Sequence, residues 1–201
     1  MRREAGDAGD AARATAEALA AHYGLEPLPR EGGRFRRLWA GPERGDGRPA
    51  GSAIMMLLTD APDDYCALHR LPTDEVWHHY LGSPLELLLL GPQGAARTPV
   101  LGSDVLGAGH HVQLTVPAGT WMAARVARRA TDDPGPDDPT PGRSGPDAPG
   151  PGGPRGRAGA WTLFGCTMAP GYTAADYEHG DAEALVRAYP EHAGLVRELA
   201  R

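Results

Sequence analysis

The sequence predicts an all-β domain with helices at its two ends, because short apolar segments alternate with turn residues through most of the chain. Turn signals such as Gly82-Ser83-Pro84 and Pro117-Ala118-Gly119 separate these segments. Many short strands joined by regular turns are typical of a β-sandwich or β-barrel. The predicted strands cover residues 34–39, 53–58, 65–68, 75–80, 85–90, 113–116, 121–127 and 160–166.

Helical patterns flank this region and define three parts of the chain. Residues 1–24 are expected to form a disordered tail over 1–7 and an Ala-rich helix that Gly24 ends. Residues 25–180 form the barrel. Residues 181–201 form a C-terminal helix, since apolar residues recur there at helical spacing.

A segment inside the barrel region has a different composition from its surroundings. Between residues 131 and 160, 16 of the 30 positions are proline or glycine. Such a segment buries too little apolar surface to offset the entropy of ordering it. We therefore predict a disordered insertion over residues 131–160.

Composition excludes several classes of function and location. The net charge is −6 and no basic stripe is present, which argues against binding to nucleic acid. The chain has no lysine, so a Schiff-base mechanism is excluded.

No apolar run is long enough to cross a bilayer, and the start of the chain lacks the apolar core of a signal peptide. With two cysteines, which we expect to be buried thiols, the chain is predicted to be cytoplasmic. Its richness in Ala, Gly, Pro and Arg suggests a GC-rich bacterial genome.

Two motifs carry a resemblance to a known family. His69, Glu75 and Gly82 fall at three positions of the first motif of the cupin superfamily, and Pro117 and Gly119 match its second motif. The match is closer to the cupin subfamily known as DUF985 or cupin 5. Further matching segments are Glu31-Gly32-Gly33, Gly165-Cys166-Thr167, Ala169-Pro170-Gly171 and Tyr189-Pro190.

The resemblance implies a double-stranded β-helix, or jelly-roll barrel, of two antiparallel sheets, together with a homodimer. It also implies that the strands at residues 121–127 and 161–166 are the two arms of one hairpin. The chain departs from the cupin pattern at two usual ligand positions, where Leu71 and Met122 replace histidines.

Strand alternation limits which side chains share the barrel interior. If Glu75 faces inward, Trp77 and His79 do so too, and His78 faces outward unless a bulge intervenes. The subfamily pattern nevertheless favours the position of His78 over that of His79. The resulting predicted site is made of catalytic candidates His69, Glu75, His78 and Tyr80, substrate-binding candidates Trp77, Trp121, Met122 and Tyr172, and metal-ligand candidates His69, Glu75 and His78.

Three functions are compatible with these residues. The first is acid–base chemistry on a small metabolite, of isomerase, epimerase or cyclase type, in bacterial specialised metabolism. The second is a mononuclear metal enzyme, an oxygenase or a metal-dependent isomerase, that uses iron, zinc, nickel or manganese. The third is a non-catalytic module that binds a small ligand.

Overall fold

The computed structural model describes residues 3–127 and 159–200 and shows two antiparallel β-sheets with helices outside them. The insertion predicted over residues 131–160 lies outside the described residues except for its last two positions. The strands are β1 (Glu26–Pro27), β2 (Arg34–Ala40), β3 (Ser52–Thr59), β4 (Cys66–Arg70), β5 (Glu75–Gly82), β6 (Leu85–Leu90), β7 (Ala96–Arg97), β8 (Val100–Leu101), β9 (Gln113–Val116), β10 (Trp121–Val126), β11 (Trp161–Met168) and β12 (Glu178–His179). The helices are α1 (Arg3–Tyr23), α2 (Ala182–Ala188) and α3 (Ala193–Leu199).

The two sheets have interleaved strand orders. The first sheet runs β1-β2-β3-β11-β5-β9, and the second runs β12-β4-β10-β6-β7, with β8 also paired to β6. This arrangement confirms the predicted all-β, two-sheet jelly roll, and each predicted strand coincides with an observed one. The predicted hairpin is wrong, because β10 and β11 lie in different sheets: β10 pairs with β4 and β6, whereas β11 pairs with β3 and β5.

The continuous apolar run of β6 is explained by cover on both of its faces. Leu85, Leu87 and Leu89 belong to the core between the sheets, whereas Leu88 and Leu90 belong to a second cluster with residues of α2 and α3. Burial of each leucine stabilises the fold by about 1.5–3 kcal/mol. The strand is therefore held from both sides.

The terminal helices cover the outer faces of the two sheets. Ala16 and Ala20 of α1 pack with Leu57 and Leu163 of the first sheet. The helix includes most of the predicted tail, since it begins at Arg3, and Gly24 follows it with a φ of 61°. In that left-handed conformation glycine is favoured.

The C-terminal segment forms two short helices where the sequence pattern predicts one. Asp181 caps the start of α2 by accepting a hydrogen bond from the backbone N–H of Ala184. Pro190 begins a 3-10 turn between α2 and α3. A proline within the pattern removes a backbone donor and clashes with the preceding turn, which is the physical reason for the division.

None of the described helices combines the length and the hydropathy that a membrane span requires.

Candidate functional site

A β-bulge in β4 brings Cys66 and His69 to the same face. In the pairing of β4 with β10, His69 lies opposite Met122 and Cys66 lies opposite Ala124, so three steps along β4 match two along β10. The extra residue reverses the alternation between Cys66 and His69. Both side chains are therefore buried on the inner face, with 0% and 2% of their surfaces exposed.

The backbone at the bulge also orients the imidazole of His69. Its Nδ1 lies 2.8 Å from the carbonyl oxygen of Ala67. A carbonyl only accepts, so Nδ1 carries a hydrogen and donates it, and in the neutral imidazole Nε2 is the nitrogen with the lone pair. Nε2 lies 4.0 Å from the nearer carboxylate oxygen of Glu31, which is too far for a hydrogen bond.

Glu31 reaches this site from the turn between β1 and β2. The backbone N–H of Ala67 donates to the carbonyl oxygen of Glu31 at 2.6 Å, which ties the turn to the bulge. Gly33 has a φ of 71°, and a Cβ there would lie 2.8 Å from a methyl carbon of Leu58. The Glu31-Gly32-Gly33 segment thus brings the Glu31 carboxylate into the site. The backbone conformation and the close contact at Gly33 allow only glycine there.

Glu75 is a buried carboxyl group on the inner face of β5. Its Oε2 accepts a hydrogen bond of 2.7 Å from Nε1 of Trp77, whose ring stacks on Phe164 with centroids 5.3 Å apart. The thiol of Cys166 also hydrogen-bonds this carboxyl group. Loss of hydration raises the pKa of Glu75 to about 7; His69 opposes the rise electrostatically, whereas Glu31 adds to it.

Two tyrosines lie around the same charges. Tyr177 stacks on His69 with ring centroids 5.3 Å apart. The guanidinium of Arg30 lies 4.6 Å from the ring centroid of Tyr177. Burial raises the pKa of Tyr172 and of Tyr177, and the charge of Glu31 adds to both rises. At neutral pH both phenols are therefore protonated and able to donate.

A partly buried ion pair supports the loop that carries these tyrosines. Arg48 pairs with Asp176, whose side chain is 4% exposed. Asp176 also accepts from the backbone N–H of Thr173 in a capping box around a 3-10 turn.

Two of the predicted catalytic residues lie on the opposite face of their strand. His78 hydrogen-bonds Thr167 and stacks with Tyr80, and a Cβ at Gly165 would lie 2.5 Å from the Tyr80 hydroxyl. Strict alternation holds from Glu75 to His78, and the irregularity in the pairing of β5 with β11 comes only beyond His79. His78 therefore does not join His69 and Glu75, which corrects the predicted set of metal ligands.

The predicted substrate-binding residues are divided in the same way. Trp77, Met122 and Tyr172 belong to or contact the core between the sheets. Trp121 instead packs on the outer side of the second sheet, with the guanidinium of Arg70 lying 4.5 Å from its ring centroid. Neighbouring residues of a strand face opposite sides, so Trp121 and Met122 cannot line one pocket. The functional roles of the inward-facing residues stay predictions.

The donor atoms around His69 form a group that could hold a metal ion. One donor atom each from Glu31, Cys66 and His69 lie within 4.8 Å of one another. The usual cupin ligand set does not fit this chain, because Leu71 and Met122 offer no imidazole. A mixed carboxylate, thiolate and imidazole set is present in its place.

The sequence pattern missed Glu31, Cys66 and Tyr177 as site residues. The Glu31-Gly32-Gly33 motif was a signal for the first, since two glycines after a carboxylate indicate a close backbone approach. Cys66 gave no signal, because three positions from His69 on a regular strand would place it on the other face.

The fold and the interior cluster together define a two-sheet jelly-roll barrel of the cupin class. The family profile described as "Cupin superfamily (DUF985)" matches residues 17–180. Since this match covers most of the chain, the protein belongs to that family.

Several solved structures are similar to this chain. A protein from Shewanella oneidensis has 27% identity and a TM-score of 0.71, over 92% of this chain and 96% of that one. A hypothetical protein from Leishmania major also has 27% identity, with a TM-score of 0.69 over 92% and 97%. A cupin 2 domain-containing protein from Halorhodospira halophila has 14% identity and a TM-score of 0.48, over 87% and 86%. Comparison with curated proteins gives no match.

Proposed function

We propose that this protein is a small-molecule enzyme that transfers a proton within its substrate, as an isomerase, epimerase or cyclase does. The observation that carries the proposal is the placement of Glu75: a buried carboxyl group on the inner face, held by Trp77 and in electrostatic contact with His69. A proton-transferring group must be oriented and shielded from bulk water.

Glu75 takes the role of general acid and base. With its pKa at about 7, both the protonated and the ionised form are populated near neutral pH. One side chain can therefore accept a proton from carbon and return it elsewhere. Such assistance contributes about 10²–10⁴-fold to a rate.

His69 and the tyrosines supply hydrogen-bond partners of fixed polarity. The Ala67 carbonyl keeps a hydrogen of His69 on Nδ1, so Nε2 is the acceptor of the neutral imidazole. The phenols of Tyr172 and Tyr177 stay protonated at neutral pH because burial raises their pKa values, and the hydroxyl of Tyr177 hydrogen-bonds His179. A substrate that carries both a hydroxyl group and a carbonyl group would match this set.

The test is exchange of carbon-bound hydrogen in heavy water. A panel of sugars and other hydroxy-carbonyl compounds is incubated with the enzyme, and deuterium incorporation is read by proton NMR. For any compound that exchanges, Glu75→Gln is expected to slow exchange by about 10²–10⁴-fold. Glu178→Gln, at an exposed carboxylate paired with Arg70, is the matched control and should exchange at the normal rate.

Equal exchange by wild type and Glu75→Gln would exclude this role for Glu75. A substrate-free measurement is the carbon-13 NMR titration of the Glu75 carboxyl group. A titration midpoint at the ordinary value of 4.5, and not about 7, would contradict the proposal directly.

A metal-dependent cupin reaction is the second candidate, favoured by the group of Glu31, Cys66 and His69. Those three residues would hold an iron, zinc, nickel or manganese ion, which would supply Lewis-acid or redox chemistry. His69 Nε2 would then be a ligand, and Glu75 would remain the proton-transferring group. Metal content of chain purified without nickel columns, compared between wild type and His69→Ala, separates the two candidates.

A further inference from the structure

We propose that Glu31, Cys66 and His69 form a zinc site with three protein ligands, one of them a thiolate, and an open fourth position. The inference gives the second candidate function its ligands and its ion. It does not depend on proton transfer by Glu75.

Two of the three distances between donor atoms are close to those around a tetrahedral zinc ion, and all three donor atoms lie within 4.8 Å of one another. Ordinary zinc–ligand bonds at tetrahedral angles place an imidazole nitrogen and a carboxylate oxygen about 3.4 Å apart, and a thiolate sulfur and a carboxylate oxygen about 3.6 Å apart. The sulfur of Cys66 lies 3.5 Å from Oε1 of Glu31, and Nε2 of His69 lies 4.0 Å from the same oxygen. A small rotation of the Glu31 side chain, which is 15% exposed, closes the longer distance.

The imidazole is held in the tautomer that a ligand needs. Histidine ligands usually donate their other ring N–H to a carbonyl or carboxylate, which directs the free nitrogen at the ion. His69 makes this bond to Ala67, and its Nε2 lies 4.0 Å from Oε1 of Glu31. A histidine only 2% exposed, whose Nε2 faces a carboxylate, offers two ligand atoms to a cation bound between them.

The chemistry of the three donors selects the ion. A thiolate is soft and disfavours manganese, magnesium and calcium, whereas zinc accepts sulfur, nitrogen and oxygen together. One thiolate, one carboxylate and a neutral imidazole also cancel the charge of a divalent ion. The buried site would then carry no net charge, which removes most of the cost of burying its ions.

This ligand set shares only His69 with the usual cupin one. Of the four positions that cupins use, Leu71 and Met122 provide no zinc ligand of the usual kind, and Glu75 is held by Trp77 and Cys166. The bulge in β4 provides Cys66 as a replacement donor on the inner face. Three protein ligands with one open position are typical of catalytic zinc sites.

The experiment is metal binding by the full chain after removal of bound metal with a chelator. Zinc is titrated in competition with a chromophoric chelator, and cobalt(II) is added separately to read the thiolate-to-cobalt charge-transfer band in the near ultraviolet. We expect one zinc per chain and a cobalt band in wild type. Cys66→Ser and His69→Ala should each weaken zinc binding at least about 100-fold, since even outer-shell changes cost 10–100-fold.

Cys166→Ser is the matched control, because Cys166 is the other buried cysteine and its thiol contacts Glu75. It should keep the zinc affinity and the cobalt band. Wild type without stoichiometric zinc, or a Cys66→Ser protein with unchanged affinity or an unchanged cobalt band, would overturn the proposal.

Circular dichroism checks that each variant folds. If Cys66→Ser is misfolded, Glu31→Gln at the partly exposed ligand replaces it, and unchanged zinc affinity there would equally overturn the proposal. Failure of the zinc site leaves the carbon-13 titration of Glu75 unaffected, so the two proposals fail separately.

Discussion

The burial of Glu75 has a consequence for stability that needs no substrate to measure. We expect Glu75→Gln to become progressively more stable than wild type as the pH rises. The folded chain raises the pKa of this carboxyl group from 4.5 to about 7. At 1.36 kcal/mol for each pH unit, ionised Glu75 opposes folding by about 3 kcal/mol.

The sign follows from where the proton is bound. Between the unfolded value of 4.5 and the folded value of about 7, the folded chain keeps the proton and the unfolded chain releases it. Stability from this group is thus fully present below the unfolded pKa and is lost as the pH rises through the folded pKa. From about pH 5 to about pH 8, wild type should lose about 2.5 kcal/mol relative to Glu75→Gln.

The assay is urea unfolding of both proteins across that range, followed by circular dichroism. The glutamine oxygen can still accept the hydrogen bond from Trp77. The effect of ionisation is read from how the difference in unfolding free energy between the two proteins changes with pH, and not from its value at one pH. Titrating groups that do not interact with Glu75 cancel in that difference. Glu178→Gln should show no such trend, because its exposed pair with Arg70 contributes little.

A difference between wild type and Glu75→Gln that stays constant across the pH range would refute the reasoning. It would mean that the Glu75 carboxyl group is hydrated or compensated in the folded chain, and the proposed acid–base role would lose its physical basis.

Three further predictions concern the surroundings of the site and the assembly. Trp77→Phe should keep the ring stack and raise the pKa of Glu75 further, because a donor to the carboxylate is removed; an unchanged carbon-13 titration would contradict this. Arg48→Ala should lower the free energy of unfolding by about 3–5 kcal/mol, because Asp176 would stay buried without its ion-pair partner. Arg44→Ala, which removes the exposed pair with Asp46, should lower it by less than about 1 kcal/mol. We also propose that the chain is a homodimer that associates along β2, because β1 pairs only with Arg34 and Phe35 of that strand and Leu38 is 52% exposed. Leu38→Arg should then halve the mass measured by sedimentation velocity. A monomeric wild type would exclude the dimer.

Local pattern was sufficient for much of the fold. Alternation and turn residues located the strands, and the position of Gly24 marked the end of the first helix. Alternation from Glu75 also indicated that His78 faces outward, and the structure agrees, since no bulge precedes that residue. The family pattern that favoured His78 was the weaker guide to its orientation.

Contacts between distant segments decided the rest. Which strands pair is set by packing across the whole chain, so β10 and β11 belong to separate sheets although they follow one another in the sequence. The apolar pattern of the C-terminal segment did not show that Pro190 divides the helix in two.

The site shows the same division. His69 and Glu75 were recognisable from the sequence alone, because their residue types and their spacing match a motif that spans two consecutive strands, β4 and β5. The grouping of Glu31, Cys66 and His69 came only with the tertiary structure. A single extra residue in β4 turns Cys66 inward, and a turn 35 residues earlier brings Glu31 to it. A bulge depends on pairing with a neighbouring strand, so no periodicity within the strand itself can reveal it.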